Sequence, residues 1–152
     1  MLRTTYFRVI SVIVEFESIR VLFKFSTSEM IKTLLENLSN DTQTLKQKEQ
    51  ELEDLSDAVE SIDHAKRVGT LRGWKVLIEL FNKGLSERAN CLILKTVRNA
   101  IQNSAACQKD VIDSGFVEIF KNLLGQPQYQ KEMLGILSAF YQNPEYAAWL
   151  NE

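Results

Sequence analysis

Apolar residues recur at threes, fours and sevens along most of this chain, the spacing of one face of an α-helix. Ser26-Thr27-Ser28-Glu29 reads as a capping box, and Met30, Ile31, Leu34, Leu35 and Leu38 follow at helical spacing, which predicts a first helix to about Leu38. Ser39-Asn40-Asp41 supplies a turn and an N-cap. Beyond it Leu45, Leu52, Leu55, Val59 and Ile62 lie among charges, predicting a long amphipathic helix with Lys48 on its polar side. The heptad spacing of Leu45, Leu52 and Val59 lasts too few repeats for a coiled coil and is assigned to packing on the next helix.

After Ile62 glycines punctuate shorter helices: Gly69 and Gly73 before WKVLIELF, Gly84 after it, Gly115 before FVEIFKNLL and Gly125 after that. These segments repeat. SIDHAKRVGTLRGWKVLIELF aligns without gaps on NSAACQKDVIDSGFVEIFKNLL, so that Ala65 falls on Cys107, Gly73 on Gly115 and Trp74 on Phe116, each at a spacing of 42. Each repeat leads into a longer helix, SERANCLILKTVRNAIQN and PQYQKEMLGILSAFYQN, both ending in Gln-Asn. A period near 40 built from two short helices and a longer third one predicts an all-α, armadillo-like right-handed superhelix of short helices. Adjacent units must stack, because neither can bury its apolar face alone, and Trp74 and Phe116 are expected in the shared core.

Residues 6–25 are rich in β-branched and aromatic residues, but Glu15, Glu17, Arg20 and Lys24 interrupt every apolar run. A membrane-spanning helix needs about 20 mostly apolar residues, and the run Val9–Val14 is also short for a signal peptide. Residues 1–25 are therefore expected to be an irregular or partly extended leader. The helical domain is residues 26–152: N-terminal helices over 26–60, repeat units at about 61–103 and 104–143, and an incomplete third unit at 144–152. That last unit supplies Tyr146, Trp149 and Leu150 without further helices to cover them, so self-association through it is expected.

Charge changes the picture little. The formal net charge is −2 with both signs mixed along the chain, which gives no field for nucleic acid or an anionic membrane. Cys91 and Cys107 have neither metal-site spacing nor the density of a disulfide scaffold and read as small buried residues. No glycine motif cradles phosphate, and His64, the only histidine, reads as a surface or helix-end residue. No catalytic pair, metal site or cofactor site is assigned, and the expected role is protein binding.

The third helices carry the candidate surface. Lys95, Arg98, Asn99 and Gln102 fall at i, i+3, i+4 and i+7 as one polar stripe, opposite Leu92, Ile93, Val97, Ala100 and Ile101. On the next third helix Gly135, Ser138, Tyr141 and Gln142 take the matching side, with Tyr129, Met133, Ile136, Leu137 and Phe140 inward. The expected partner-binding residues are Lys95, Arg98, Asn99, Gln102, Tyr141 and Gln142, with Tyr141 as an aromatic anchor. Arg98 stands at the centre, where its charge reversal should weaken binding and leave the fold nearly intact.

Residues 50–124 resemble the armadillo-type nucleotide exchange factors of the heat-shock protein 70 chaperones, the cytosolic Hsp70-binding proteins and their endoplasmic-reticulum relatives. In the first stretch Ile62, Asp63 and Ala65 keep an Ile-Asp-Asn-Ala element, with His64 replacing its asparagine. In the second, Gln102, Asn103, Gln108, Gly115 and Leu123-Leu124 keep the pattern, while Ser104 and Ala105 depart from its Asn-Pro. The resemblance implies a non-enzymatic cochaperone that needs no cofactor, embraces the nucleotide-binding domain of a heat-shock protein 70 and promotes ADP release. An armadillo adaptor without exchange activity is the alternative. Cytoplasmic location is implied, with the endoplasmic reticulum as the alternative.

Overall fold

The computed structural model describes residues 14–19 and 28–151. The chain divides into two units, residues 1–30 and 31–152. In the first, residues 14–19 and 28–30 are helical. The rest of the leader lies outside the described residues, and with it Ser26 and Thr27 of the expected capping box.

The described part of the second unit is all-α and armadillo-like. Helix α1 occupies residues 31–39 of this unit. There follow α2 (Leu45–Ala58), α3 (Ile62–Thr70), α4 (Gly73–Lys83), α5 (Glu87–Ile101), α6 (Ala105–Ser114), α7 (Phe116–Leu123) and α8 (Gln130–Tyr141), with 3-10 turns at Pro127–Tyr129 and Ala148–Asn151. The longest helices, α2, α5 and α8, lie side by side with α5 between the other two; α3 packs on α6, and α4 on α3, α5 and α6.

Local chemistry sets the ends of α2. Its N-cap is Thr44, beyond the expected Ser39-Asn40-Asp41 cluster, because Gln47 at N3 returns a hydrogen bond to the cap backbone and completes a capping box. Asp41 instead accepts from Lys83 at 3.0 Å, and that hydrogen bond and charge hold its carboxyl below the usual range. The helix stops at Ala58, short of Ile62, and Leu45 and Ile62 are exposed while Leu52, Leu55 and Val59 are buried. His64, in the first turn of α3, donates Nδ1–H to the Ala58 carbonyl at 2.9 Å and so caps the end of α2. Lys48 departs from its expected polar face. It is buried, and its Nζ donates to the Leu38 carbonyl at the end of α1, 2.9 Å away.

The two aligned segments form equivalent helices, α3–α4 and α6–α7, each followed by a longer one. Trp74 and Phe116 are fully buried and meet edge to face, with ring centroids 6.5 Å apart. Their turns differ by one residue. Gly115 takes the left-handed conformation at φ 102°, whereas in the first unit Arg72 takes it, at φ 56°. Gly73 is needed elsewhere: a Cβ there would lie 2.7 Å from Val68 Cγ1 and 2.8 Å from Leu35 Cδ1. At the C-terminal end Trp149 is buried against Phe120 and Phe140, at centroid distances of 5.7 and 5.6 Å. The third unit was expected to lack a cover, but Trp149 is itself a cover for the aromatic core, with Leu150 left exposed.

Candidate partner-binding surface

Helix α5 begins at Ser86, whose Oγ accepts from the Ala89 amide at 2.9 Å and donates to Glu49 Oε1 on α2 at 2.7 Å. Glu49, Glu53 and Asp57 repeat every four residues along one edge of α2 and face the basic groups of α5. Arg88 reaches Glu49 at 3.8 Å and Glu53 at 3.1 Å, and Lys95 reaches Asp57 at 3.1 Å. Asn99 Nδ2 donates to the Ser56 carbonyl at 2.9 Å. Lys95 and Asn99 are thus engaged with α2.

Arg98 turns the other way. Its Nη1 lies 2.8 Å from Glu132 Oε2 on α8, and the two side chains are only 18% and 12% exposed. Its alkyl chain crosses Gly135, where an added Cβ would collide with Cδ and lie 2.9 Å from Cγ. Arg98 is a packed link between α5 and α8, so its charge reversal would disturb the fold, contrary to the expectation from sequence. A stripe at i, i+3, i+4 and i+7 spans enough of the helix circumference that neighbours on both sides cover its margins.

The residues left open are fewer. Gln102 at the C-cap of α5, Lys131 and Ser138 on α8 and Gln142 at its C-cap are exposed. Tyr141 is 82% exposed. With Leu134 it lies on the edge of α8 opposite Glu132 and Gly135, that is, remote from α5. Of the six expected residues, the structure leaves Gln102, Tyr141 and Gln142 free of α2 and holds Lys95, Arg98 and Asn99 in the seams of the layer.

Gln108 positions the ends of α5 and α8. Fully buried in α6, it donates Nε2–H to the Ile101 carbonyl at 3.0 Å and the Ala139 carbonyl at 3.1 Å, and its Oε1 accepts from Asn143 Nδ2 at 3.0 Å. Both carbonyls lie in last helical turns, where the helix itself supplies no donor. Periodicity did not single out Gln108; the resemblance did name it among the residues that keep the pattern, and a further signal was an amide at an inward position of α6, between Cys107 and Val111.

The open groups are amides, a hydroxyl, an ammonium and a phenol ring, suited to hydrogen bonding and stacking. Cys91, half-buried, has its thiol pKa raised by burial and by Glu87 and Glu132, and burial likewise raises that of Cys107. Among the described residues no group of His, Cys, Asp and Glu side chains could hold a metal ion. No helix among them is long and apolar enough to cross a membrane.

Residues 11–68 match a family model described as nucleotide exchange factor Fes1. The match covers less than half of the chain, running through α1 and α2 into α3, and takes in the Ile62-Asp63-His64-Ala65 element. It stops before α4, so the second stretch of the resemblance lies outside it. No curated protein and no solved structure matches the chain.

Proposed function

We propose, from the likeness of residues 11–68 to the Fes1 nucleotide exchange factor model, that this chain is an exchange factor of a heat-shock protein 70, binding the chaperone's nucleotide-binding domain and promoting ADP release without chemistry of its own. The observation that carries this is the match across residues 11–68. The layer of α2, α5 and α8 supports it as the docking face, because two of its helices display exposed amides, Gln102 and Gln142, over a fixed seam. Lys95, Arg98 and Asn99 act in this reading by holding the helices in register. Binding energy, spent on separating the lobes around ADP, replaces any catalytic group.

Release of a fluorescent ADP from a heat-shock protein 70, followed by stopped flow, tests the reading. The full chain should accelerate release. Gln102→Arg combined with Gln142→Arg, both exposed, should lower that acceleration several-fold, while Lys66→Glu on the exposed side of α3 should not. Binding without acceleration would favour the adaptor reading; neither binding nor acceleration would end both for this partner.

A further inference from the structure

The two third helices superpose by sequence at a spacing of 40, which sets Asn90 on Gln130, Leu94 on Leu134, Val97 on Leu137 and Ile101 on Tyr141. On α5 this edge is covered. Leu94, Val97 and Ile101 are fully buried, and they share a side with Arg98, which packs on α8. Tyr129, leading into α8, completes the cover: its ring lies 6.4 Å from that of Phe81, and its hydroxyl accepts from Asn90 Nδ2 at 3.4 Å.

On α8 the equivalent edge is bare. Leu134 is 58% and Tyr141 82% exposed. Beside them is a cavity of about 240 Å³ lined by Leu123, Gln130, Met133, Leu134 and Leu137. Leu123 is the counterpart of Phe81, at the spacing of 42, and Gln130 that of Asn90, so the cavity corresponds to the place where Tyr129 sits one unit earlier. One edge therefore carries both an apolar cavity and a projecting tyrosine.

We propose that this edge pairs with the same edge of a second copy of the chain, the Tyr141 ring of each entering the cavity of the other. A groove and its plug on a single edge are what a two-fold, isologous contact requires. Tyr141 lies seven residues from Leu134, about 10 Å along the helix, so antiparallel α8 helices place each ring over the partner's Gln130–Leu134 end. The phenol hydroxyl then meets Gln130 as that of Tyr129 meets Asn90. Gln130, Leu134, Leu137 and Tyr141 are uncharged, so the copies meet without repulsion along this line. One helix edge offers less than the roughly 800 Å² per partner of a stable complex, and the dimer is accordingly weak.

Sedimentation velocity on the full chain from about 5 to 500 μM, without chaperone, reads this independently of the exchange reaction. The weight-average mass should rise towards that of a dimer, and Tyr141→Glu and Leu134→Glu should each keep the chain monomeric with an unchanged circular dichroism spectrum. Lys66→Glu, on α3, should dimerise like the wild type. A wild-type monomer at the highest concentration overturns the proposal, as does a dimer unaffected by Tyr141→Glu.

Discussion

Replacing Gln108 by leucine removes three hydrogen bonds from the inside of the domain while nearly conserving side-chain volume. The carbonyls of Ile101 and Ala139 lose their amide donor at 3.0 and 3.1 Å, and Asn143 loses its acceptor. A buried polar group left unsatisfied costs about 1–3 kcal/mol, and the two carbonyls dominate because half-buried Asn143 can turn to water. Greater apolarity at the site returns about 1 kcal/mol, leaving a net loss of roughly 1–5 kcal/mol. Gln108→Glu should be worse at neutral pH, since a carboxylate faces two carbonyl oxygens. Its folded-state pKa would be raised, so the glutamate variant should be most stable below the unfolded carboxyl pKa of about 4.3 and lose stability as pH rises through the folded value. Urea unfolding of wild type and both variants at pH 4.5 and 7 measures this, with the gap between Glu and Leu variants widening at pH 7. Gln108→Leu within about 0.5 kcal/mol of wild type at an unchanged m-value would refute the reasoning.

Gly73→Ala should cost about 1–3 kcal/mol by forcing Leu35 and Val68 aside, whereas Arg72→Gly should gain up to about 1 kcal/mol by relieving a left-handed arginine; urea midpoints decide both. Lys48→Glu sets a carboxylate against the Leu38 carbonyl and should cost about 3 kcal/mol or more, while Lys95→Ala, removing a half-exposed pair with Asp57, should cost about 1 kcal/mol or less by the same assay. Cys91 should react slowly with a thiol reagent at pH 7.5 because its thiolate is disfavoured, and Cys107 should react only as the domain unfolds; two equally fast thiols in native protein would contradict this.

The helices were legible where apolar periodicity met a glycine or a serine cap: α4 and α7 follow their glycine-bearing turns, and α5 starts at Ser86. Trp74 and Phe116 could be assigned to one core because the 42-residue alignment superposes them. Less was legible where a polar residue's role depends on a neighbour distant in sequence. Lys48 sits among charges like a solvated residue, yet α1 ends over it and presents a carbonyl. Lys95, Arg98 and Asn99 of the stripe lie on α5 and Gln102 caps it, but which of them remain open is decided by α2 on one side and α8 on the other. The family signal was split in the same way: its match extends back through α1 and α2, whereas the residue pattern was traced forward to α7.

The alternation of acidic α2 against basic α5, and of Arg98 against Glu132, has a consequence for ionic strength. Where Arg88, Lys95 and Arg98 already face carboxylates across the seams, little unbalanced charge from the seams projects from the layer towards a partner. A protein settling on Gln102, Ser138 and Gln142 then meets chiefly neutral groups and gains little electrostatic steering. Its association should be slow for a protein pair and almost flat between low and physiological salt, while the same salt loosens the ladder between α2 and α5. In such a layer added electrolyte acts on the spacing of the helices before it acts on whatever the helices hold.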